Sequence, residues 1–348
     1  MDMGKLLGQQ LGTPRTPALD DILDDLNRKH LGYYICPMGK ESRALAVALA
    51  AARKAGAVAL KGFRSGSALP RGGQDLRSAP SRAGETSPRQ ARNHAGGPLS
   101  GCRLPQASAI LGRSATSPLR GGFKVSYKSD SSPVTDLDLA SEEIIRKTLS
   151  SAFPGDGFIG EEYGEIKGKT GASWVIDPID GTKNFVRGIP FWGSLIARVV
   201  NDRLDLGVMH MPATGETIWA VRGGGAFHNG RRIRVSRINR LARSFITYGG
   251  LDYFVRNGDA PRLERLATAG YISRSFGDCG AYTYVARGMT EVMLERGLKP
   301  WDAAAPKMII EEAGGKFTDW SGRDNWRSPE ALATNGLVHS AVLKIIRG

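Results

Sequence analysis

Two carboxylates three residues apart on one tight turn, Asp177 and Asp180, are the side chains of this sequence best placed to do chemistry. Carboxylate oxygens are hard donors, and a pair held on a turn suits a hard divalent cation. Gly181-Thr182 follows directly, where a helix could open with its free N–H groups pointing outward. Such an N-terminus attracts anions, so a cation and a phosphate could be held side by side. Read alone, Asp-x-x-Asp-Gly-Thr is also an ordinary acidic surface turn. The apolar run Trp174 to Ile176 shifts the balance, because it predicts a buried strand that stops at Asp177 and carries the turn to a sheet end. Pro178 cannot donate to a sheet ladder, so the chain turns there.

The elements that must position this turn are legible on both sides of it. Glu41 to Phe63 is rich in Ala and Leu and predicts a helix of about six turns. Phe123 to Tyr127 alternates as a strand, and Thr135 to Ser151 reads as a helix with Ile144, Ile145 and Leu149 on one face. Phe158-Ile159 predicts a strand that delivers Glu161 to its end. Phe191 to Val200 and Leu204 to Met211 read as strands joined at Asn201-Asp202. Asn229-Gly230 is a two-residue hairpin signal between residues 225–228 and 232–235. Gly223-Gly-Gly225 has no helix after it, so it is a turn and not a nucleotide loop. Beyond Leu241 strands and helices alternate. Strands are expected at Phe245 to Tyr248, Ile272 to Phe276, Glu291 to Leu294, Lys316 to Thr318 and Leu332-Ala333. Helices are expected at Pro261 to Ala269, Ala281 to Gly288, Trp301 to Ala313 and Leu337 to Ile346. The fold class is therefore α/β, with an α+β first half and an α/β second half.

Asp177-Pro-Ile-Asp-Gly-Thr182, with Gly160-Glu-Glu162 before it and Lys299-Pro-Trp-Asp-Ala-Ala304 after it, resembles the inositol monophosphatase family. These are Mg2+-dependent, lithium-sensitive phosphomonoesterases. The resemblance covers Lys128 to about Gly348, plus a shorter segment around 41–63. It implies a layered αβαβα sugar-phosphatase sandwich with the site between the halves. It also implies that Glu161, Asp177, the Ile179 carbonyl, Asp180 and Asp302 ligate two or three Mg2+ ions. The donor types agree, being all oxygen with no Cys or His nearby in sequence. Asp302 can also cap the helix after Pro300, and one residue can do both.

Catalytic roles follow from the same resemblance. Thr182 and Glu161 are the candidates to take a proton from the attacking water. Asp138 lies 23 residues before Glu161, the family's spacing for the carboxylate that holds this Thr. Its alternative is an exposed Asp in the first turn of a helix. The N–H groups of Gly181 and Thr182 are expected to hold phosphate oxygens. On the substrate side, Arg274-Ser-Phe-Gly-Asp278 and Lys299-Pro300 are similar to the histidinol-phosphatase branch. Arg274, Asp278 and Glu295 would then bind substrate, the carboxylates taking the ammonium and imidazole of L-histidinol phosphate, an intermediate of histidine biosynthesis. Glu295 equally matches a position that contacts inositol hydroxyls, which leaves inositol 1-phosphate as the alternative.

The chain of 348 residues has a net charge of +14. Between Arg64 and Gly121 there are nine Arg and no Lys, against only Asp75 and Glu85, so that segment carries +7. From Ser65 onward it also lacks aromatics and Val, a composition that predicts disorder. A basic arm for nucleic acid is the alternative, disfavoured because such arms usually interleave aromatics or Lys. The segment is either an insertion or a non-native stretch. The expected divisions are an N-terminal extension 1–40, the first helix 41–63, the insertion 64–122, a metal- and phosphate-binding half 123–240, and a substrate-side half 241–348. Cys36, Cys102 and Cys279 form no CxxC, and the five His show no HxH or HExxH spacing. Residues 1–20 lack the apolar core of a secretory signal, and Ala44 to Ala52 is too short to span a bilayer. A cytoplasmic enzyme without a membrane partner, acting on a small-molecule phosphate and homodimeric like its relatives, is the expectation.

Overall fold

The computed structural model describes residues 39–66, 123–129 and 132–348. Nearly all of the N-terminal extension 1–40, the bulk of the Arg-rich insertion, and Cys36 and Cys102 lie outside the described residues. Alanines and leucines at helical spacing build α1 (Gly39–Gly66), which extends beyond both expected ends. A small hairpin, β1 (Val125–Tyr127) and β2 (Pro133–Thr135), leads into α2 (Asp136–Ala152), whose N-cap Thr135 closes a capping box with Asp138. Then follow β3 (Gly157–Gly160), β4 (Gly164–Ile166), β5 (Ala172–Asp180), the one-turn helix α3 (Thr182–Val186), β6 (Gly193–Val200), β7 (Arg203–Met211), β8 (Glu216–Val221), β9 (Gly225–His228) and β10 (Arg231–Ile233). The second half contains β11 (Phe245–Tyr248), α4 (Leu251–Arg256), α5 (Ala260–Ala269), β12 (Ile272–Arg274), α6 (Asp278–Ala286), β13 (Val292–Arg296), α7 (Pro300–Glu312), β14 (Lys316–Thr318), β15 (Glu330–Thr334) and α8 (His339–Arg347).

Strands β3 to β10 form one eight-stranded sheet, in the order β10-β9-β8-β7-β6-β5-β3-β4. Strands β11 to β15 form a five-stranded sheet, β12-β11-β13-β15-β14. The alternation along β5 dictates the layering. Trp174 and Ile176 enter an apolar layer with α1 and α2 on one face. Val175 enters a central layer, shared by both sheets, in which α6 and α7 lie. The outer face of the second sheet is covered by α4, α5 and α8 through Phe254, Leu263, Leu266 and Val342. The result is helix, sheet, helix, sheet, helix. As expected of NG hairpins, Asn229 and Gly230 both have positive φ, 46° and 79°, between β9 and β10.

Three local expectations are corrected. Strand β5 does not stop at Asp177 but runs to Asp180. Asp177 pairs with Leu195 and Asp180 with Gly193, so the register shifts between them where Pro178 has no N–H to give. Helix α6 begins at Asp278, three residues before the expected Ala281, because Gly277 (φ 63°) turns the chain into it there. Strand β12 ends at Arg274, two residues short of Phe276.

Candidate active site

The bulge at the end of β5 shapes the site. Asp177 Oδ1 accepts the Ile179 N–H at 3.0 Å, and the Ser194 hydroxyl holds the Pro178 carbonyl at 2.7 Å. Gly181 follows with φ 82°, and an added Cβ would lie 2.8 Å from the Phe191 carbonyl, so only glycine fits. One turn of helix cannot hold itself together, so α3 is fixed by its neighbours. Phe185 is buried against Phe63, Phe123 and Trp192, with ring centroids 4.8 to 5.6 Å apart.

From the opposite side, α6 and α7 aim their first turns at this bulge. The Cys279 N–H donates to Asp180 Oδ2 at 2.5 Å. Asp302 accepts the Lys299 N–H at 2.7 Å, so it caps α7 while its carboxylate faces the bulge. Oxygens of Asp177, Asp180 and Asp302 lie within 4.8 Å of one another. Glu161, just after β3, faces the same cleft of about 380 Å³, together with Ile179, Gly181, Thr182 and Asp278. The Lys128 ammonium spans Glu161 and Glu162 at 2.7 and 2.8 Å. Burial alone would lower its pKa, but the two carboxylates outweigh that and raise it.

Asp138 is fully buried, which removes its reading as an exposed first-turn residue. It accepts the Thr135 N–H at 2.7 Å and lies 3.3 Å from the Thr182 hydroxyl, which also reaches the Ile179 carbonyl at 2.9 Å. A smaller annex of about 90 Å³ opens beyond the carboxylate cluster, lined by Asp278, Tyr282 and Glu295 among others. Glu295 and the Tyr282 hydroxyl are buried there as mutual neighbours, the hydroxyl offsetting part of the burial that raises the Glu295 carboxyl. Arg274 lies apart: it is exposed on β12 and donates to the Ser273 carbonyl at 2.8 Å.

Electrostatics make this donor set incomplete. Burial first, then repulsion from Glu161 and the neighbouring aspartates, raises the pKa of Asp177 well above the usual carboxylate range. Burial and Asp278 do the same to Asp180. Burial chiefly carries Asp302 to about 7 and Asp138 to about 7. Glu295 is pushed to about 8 by burial and by Asp278. So many carboxylates cannot all ionise together in one pocket unless a cation joins them. Oxygen donors converging with unmatched charge fit a hard metal ion.

Three participants carried no sequence signal. Asn184 donates to Asp278 Oδ2 at 2.8 Å and to the Phe191 carbonyl at 3.0 Å, tying α3 to α6. Lys183 reaches the Tyr253 hydroxyl at 3.3 Å across the cleft mouth. Lys128 was legible only as the residue at which the family resemblance begins. Long-range partners of this kind leave no local pattern in residue type.

A model of the inositol monophosphatase family matches residues 105–347 of the chain. The chain is 38% identical over 231 residues to a histidinol-phosphatase of Chlorobaculum parvum, a span of 66% of this chain and 89% of that relative. It is 36% identical over 215 residues to a fructose-1,6-bisphosphatase/inositol-1-monophosphatase of Thermotoga maritima, covering 61% and 82% of the two chains. Among solved structures, the extragenic suppressor protein SuhB from Bartonella henselae aligns with a TM-score of 0.68 at 27% identity, over 87% of this chain and 98% of that one.

Proposed function

The chain belongs to the inositol monophosphatase family and is a phosphoric monoester hydrolase; we propose that it uses Mg2+ to hydrolyse L-histidinol phosphate, a step of histidine biosynthesis. The observation that carries the substrate is the annex, where Asp278 and Glu295 stand beyond the carboxylates a metal would occupy. An ammonium and an imidazole would answer the charge of both carboxylates. Relatives that bear the histidinol-phosphatase name support the same choice.

In this reading Glu161, Asp177, Asp180, Asp302 and the Ile179 carbonyl would hold two or three Mg2+ ions. Bound there, the ions would supply Lewis acidity toward the phosphate and the attacking water. The chain's own residues do the rest. The N–H groups of Gly181 and Thr182 seat phosphate oxygens at the start of α3. The Thr182 oxygen takes the proton of the attacking water as its own proton passes to Asp138, the nearest carboxylate behind it. Glu161 is the second candidate for that proton. The ester P–O bond breaks as the water oxygen bonds to phosphorus, and the leaving alkoxide is protonated from solvent.

Inositol 1-phosphate is the second reading, favoured by the Tyr282 hydroxyl that lines the annex, which could meet a ring hydroxyl, and by the name of the Thermotoga relative. Phosphate release from histidinol phosphate, inositol 1-phosphate and fructose 1,6-bisphosphate, measured side by side, decides between them. A clear lead for inositol 1-phosphate reverses the ranking. A homodimer and a cytoplasmic location complete the proposal. Tyr271 and Phe276, 76% and 40% exposed, flank β12 and Arg274 and offer apolar surface for a second copy. A single-chain mass by light scattering removes the dimer.

A further inference from the structure

We propose that the connector between the two sheets, residues 231–243, is a docking strip for the phosphate backbone of single-stranded nucleic acid, separate from the catalytic cleft. Arg231, Arg234, Arg237, Arg240 and Arg243 recur at a strict interval of three residues, with Arg232 beside them. All six are exposed. None makes an ion pair or a side-chain hydrogen bond among the described residues.

The strip is pinned to the molecule. Ile233 and Val235 pack into the central layer, and Leu241 into the outer one. The Val235 N–H donates to the Ala313 carbonyl at 3.1 Å, and Asn335 Nδ2 donates to the Ser236 hydroxyl at 3.0 Å and the Ile238 carbonyl at 2.7 Å. At Gly288 (φ 70°) an added Cβ would sit 2.9 Å from the Ser236 N, so the strip lies hard against the end of α6. Strand β10 alternates faces every two residues, while the 3-10 turn repeats every three. The strip runs from β10 into a 3-10 turn at Leu241–Arg243. Three residues of extended backbone span roughly 10 Å, so successive arginines are spread along the strip.

Few carboxylates stand near this charge. From residue 217 to 251 there are seven Arg and no Lys, Asp or Glu. Of the carboxylates bordering it, Glu216 pairs with Arg287, while Glu312 accepts the N–H groups of Gly223 and Gly225 and Glu291 that of Phe245, which leaves the guanidinium groups in excess. The C-terminal ends of α6 and α7 abut the strip and favour a cation, but each offers only about half a charge against six arginines. Repeated guanidinium groups match repeated phosphates, to which each can donate in paired fashion. With no aromatic residue from 229 to 243, the strip lacks the base stacking that basic arms use, so binding rests on phosphate contacts alone and would be indifferent to sequence and strongly salt-dependent. The strip touches the last turns of α6 and α7, whereas Asp278 and Asp302 lie in their first turns. The length of α7 separates the two surfaces by about 20 Å, so both can be occupied at once.

The test uses the full chain, because residues 64–121 carry nine further arginines. Anisotropy with labelled single-stranded RNA and DNA of about 20 nucleotides is followed between roughly 50 and 200 mM salt. Five phosphate contacts predict a log–log salt slope of about −3.5. The variant R231Q/R234Q/R237Q/R240Q/R243Q should bind at least about tenfold more weakly at low salt, with the slope reduced by about 3, while phosphomonoesterase turnover is unchanged. Should the variant also lose turnover, ultraviolet cross-linking of the wild-type protein decides, and cross-links within 231–243 are expected. The proposal is overturned if the wild-type chain binds neither strand, or if the variant keeps wild-type affinity and slope. Cross-links confined to 64–121 overturn it too, as does displacement of RNA by polyglutamate as readily as by unlabelled RNA, which would mark a dock for acidic protein.

Discussion

Asp177→Asn and Asp302→Asn each remove one charge while nearly preserving shape, so they separate charge from packing. Asparagine can still cap α7 at position 302 or accept the Ile179 N–H at position 177. Both variants should fold, and both should lose divalent-cation-dependent phosphate release. Near-wild-type turnover in a folded Asp302→Asn protein would end the assignment of this carboxylate to the metal. Thr182→Ala should lower kcat by about a hundredfold, the scale of a lost proton-transfer partner. If KM alone rises, Thr182 serves in binding. Asp278→Ala should cost more with histidinol phosphate than with inositol 1-phosphate, since only the former leaves an ammonium unpaired. Equal losses would count against that role.

At the scale of elements, the bulged end of β5 and the single turn α3 are the features on which the site depends. Gly181→Ala places a Cβ in left-handed backbone and against the Phe191 carbonyl. The backbone conformation alone costs about 1 to 2 kcal/mol, so melting should fall by several degrees and turnover with it. Unchanged melting and turnover would show that the turn has room to shift. Much of this was legible in sequence. Trp174 to Ile176 announced a strand covered on both faces, Asn229-Gly230 its hairpin, and the Asp177 to Thr182 turn its chemistry. The bulge was not legible, because Pro178 tells where pairing fails but not whether it resumes, and it resumes at Asp180. Strands β4 and β8 and helix α4 also escaped, being short and given their character by neighbours distant in sequence. The tie from Asn184 to Asp278 spans 94 residues, and only the folded chain reveals it.

For the whole molecule, deleting residues 67–121 and joining Gly66 to Gly122 should preserve turnover, since every candidate site residue lies outside that segment. Loop-closure entropy changes by only about 0.6 kcal/mol per factor of two in the length of a connection. Loss of turnover would show that the segment belongs to the working enzyme. Three carboxylates face one another in the candidate site. Asp177 and Asp180 come from the first sheet's half and Asp302 from the other, so like charges meet across the seam between the halves. Empty, that seam is a wedge; filled by a cation, it becomes a rivet. Acids whose folded pKa lies above the unfolded value hold extra protons in the fold, so stability falls as pH rises through that window. With folded values of about 7 for Asp302 and about 8 for Glu295, the chelated protein should melt at progressively lower temperature from pH 4 to 8. Added Mg2+ should restore melting most at the alkaline end, by the mass action of a ligand that binds only the folded chain. A melting temperature indifferent to chelator across that range would mean that the halves are held without regard to what lies between them.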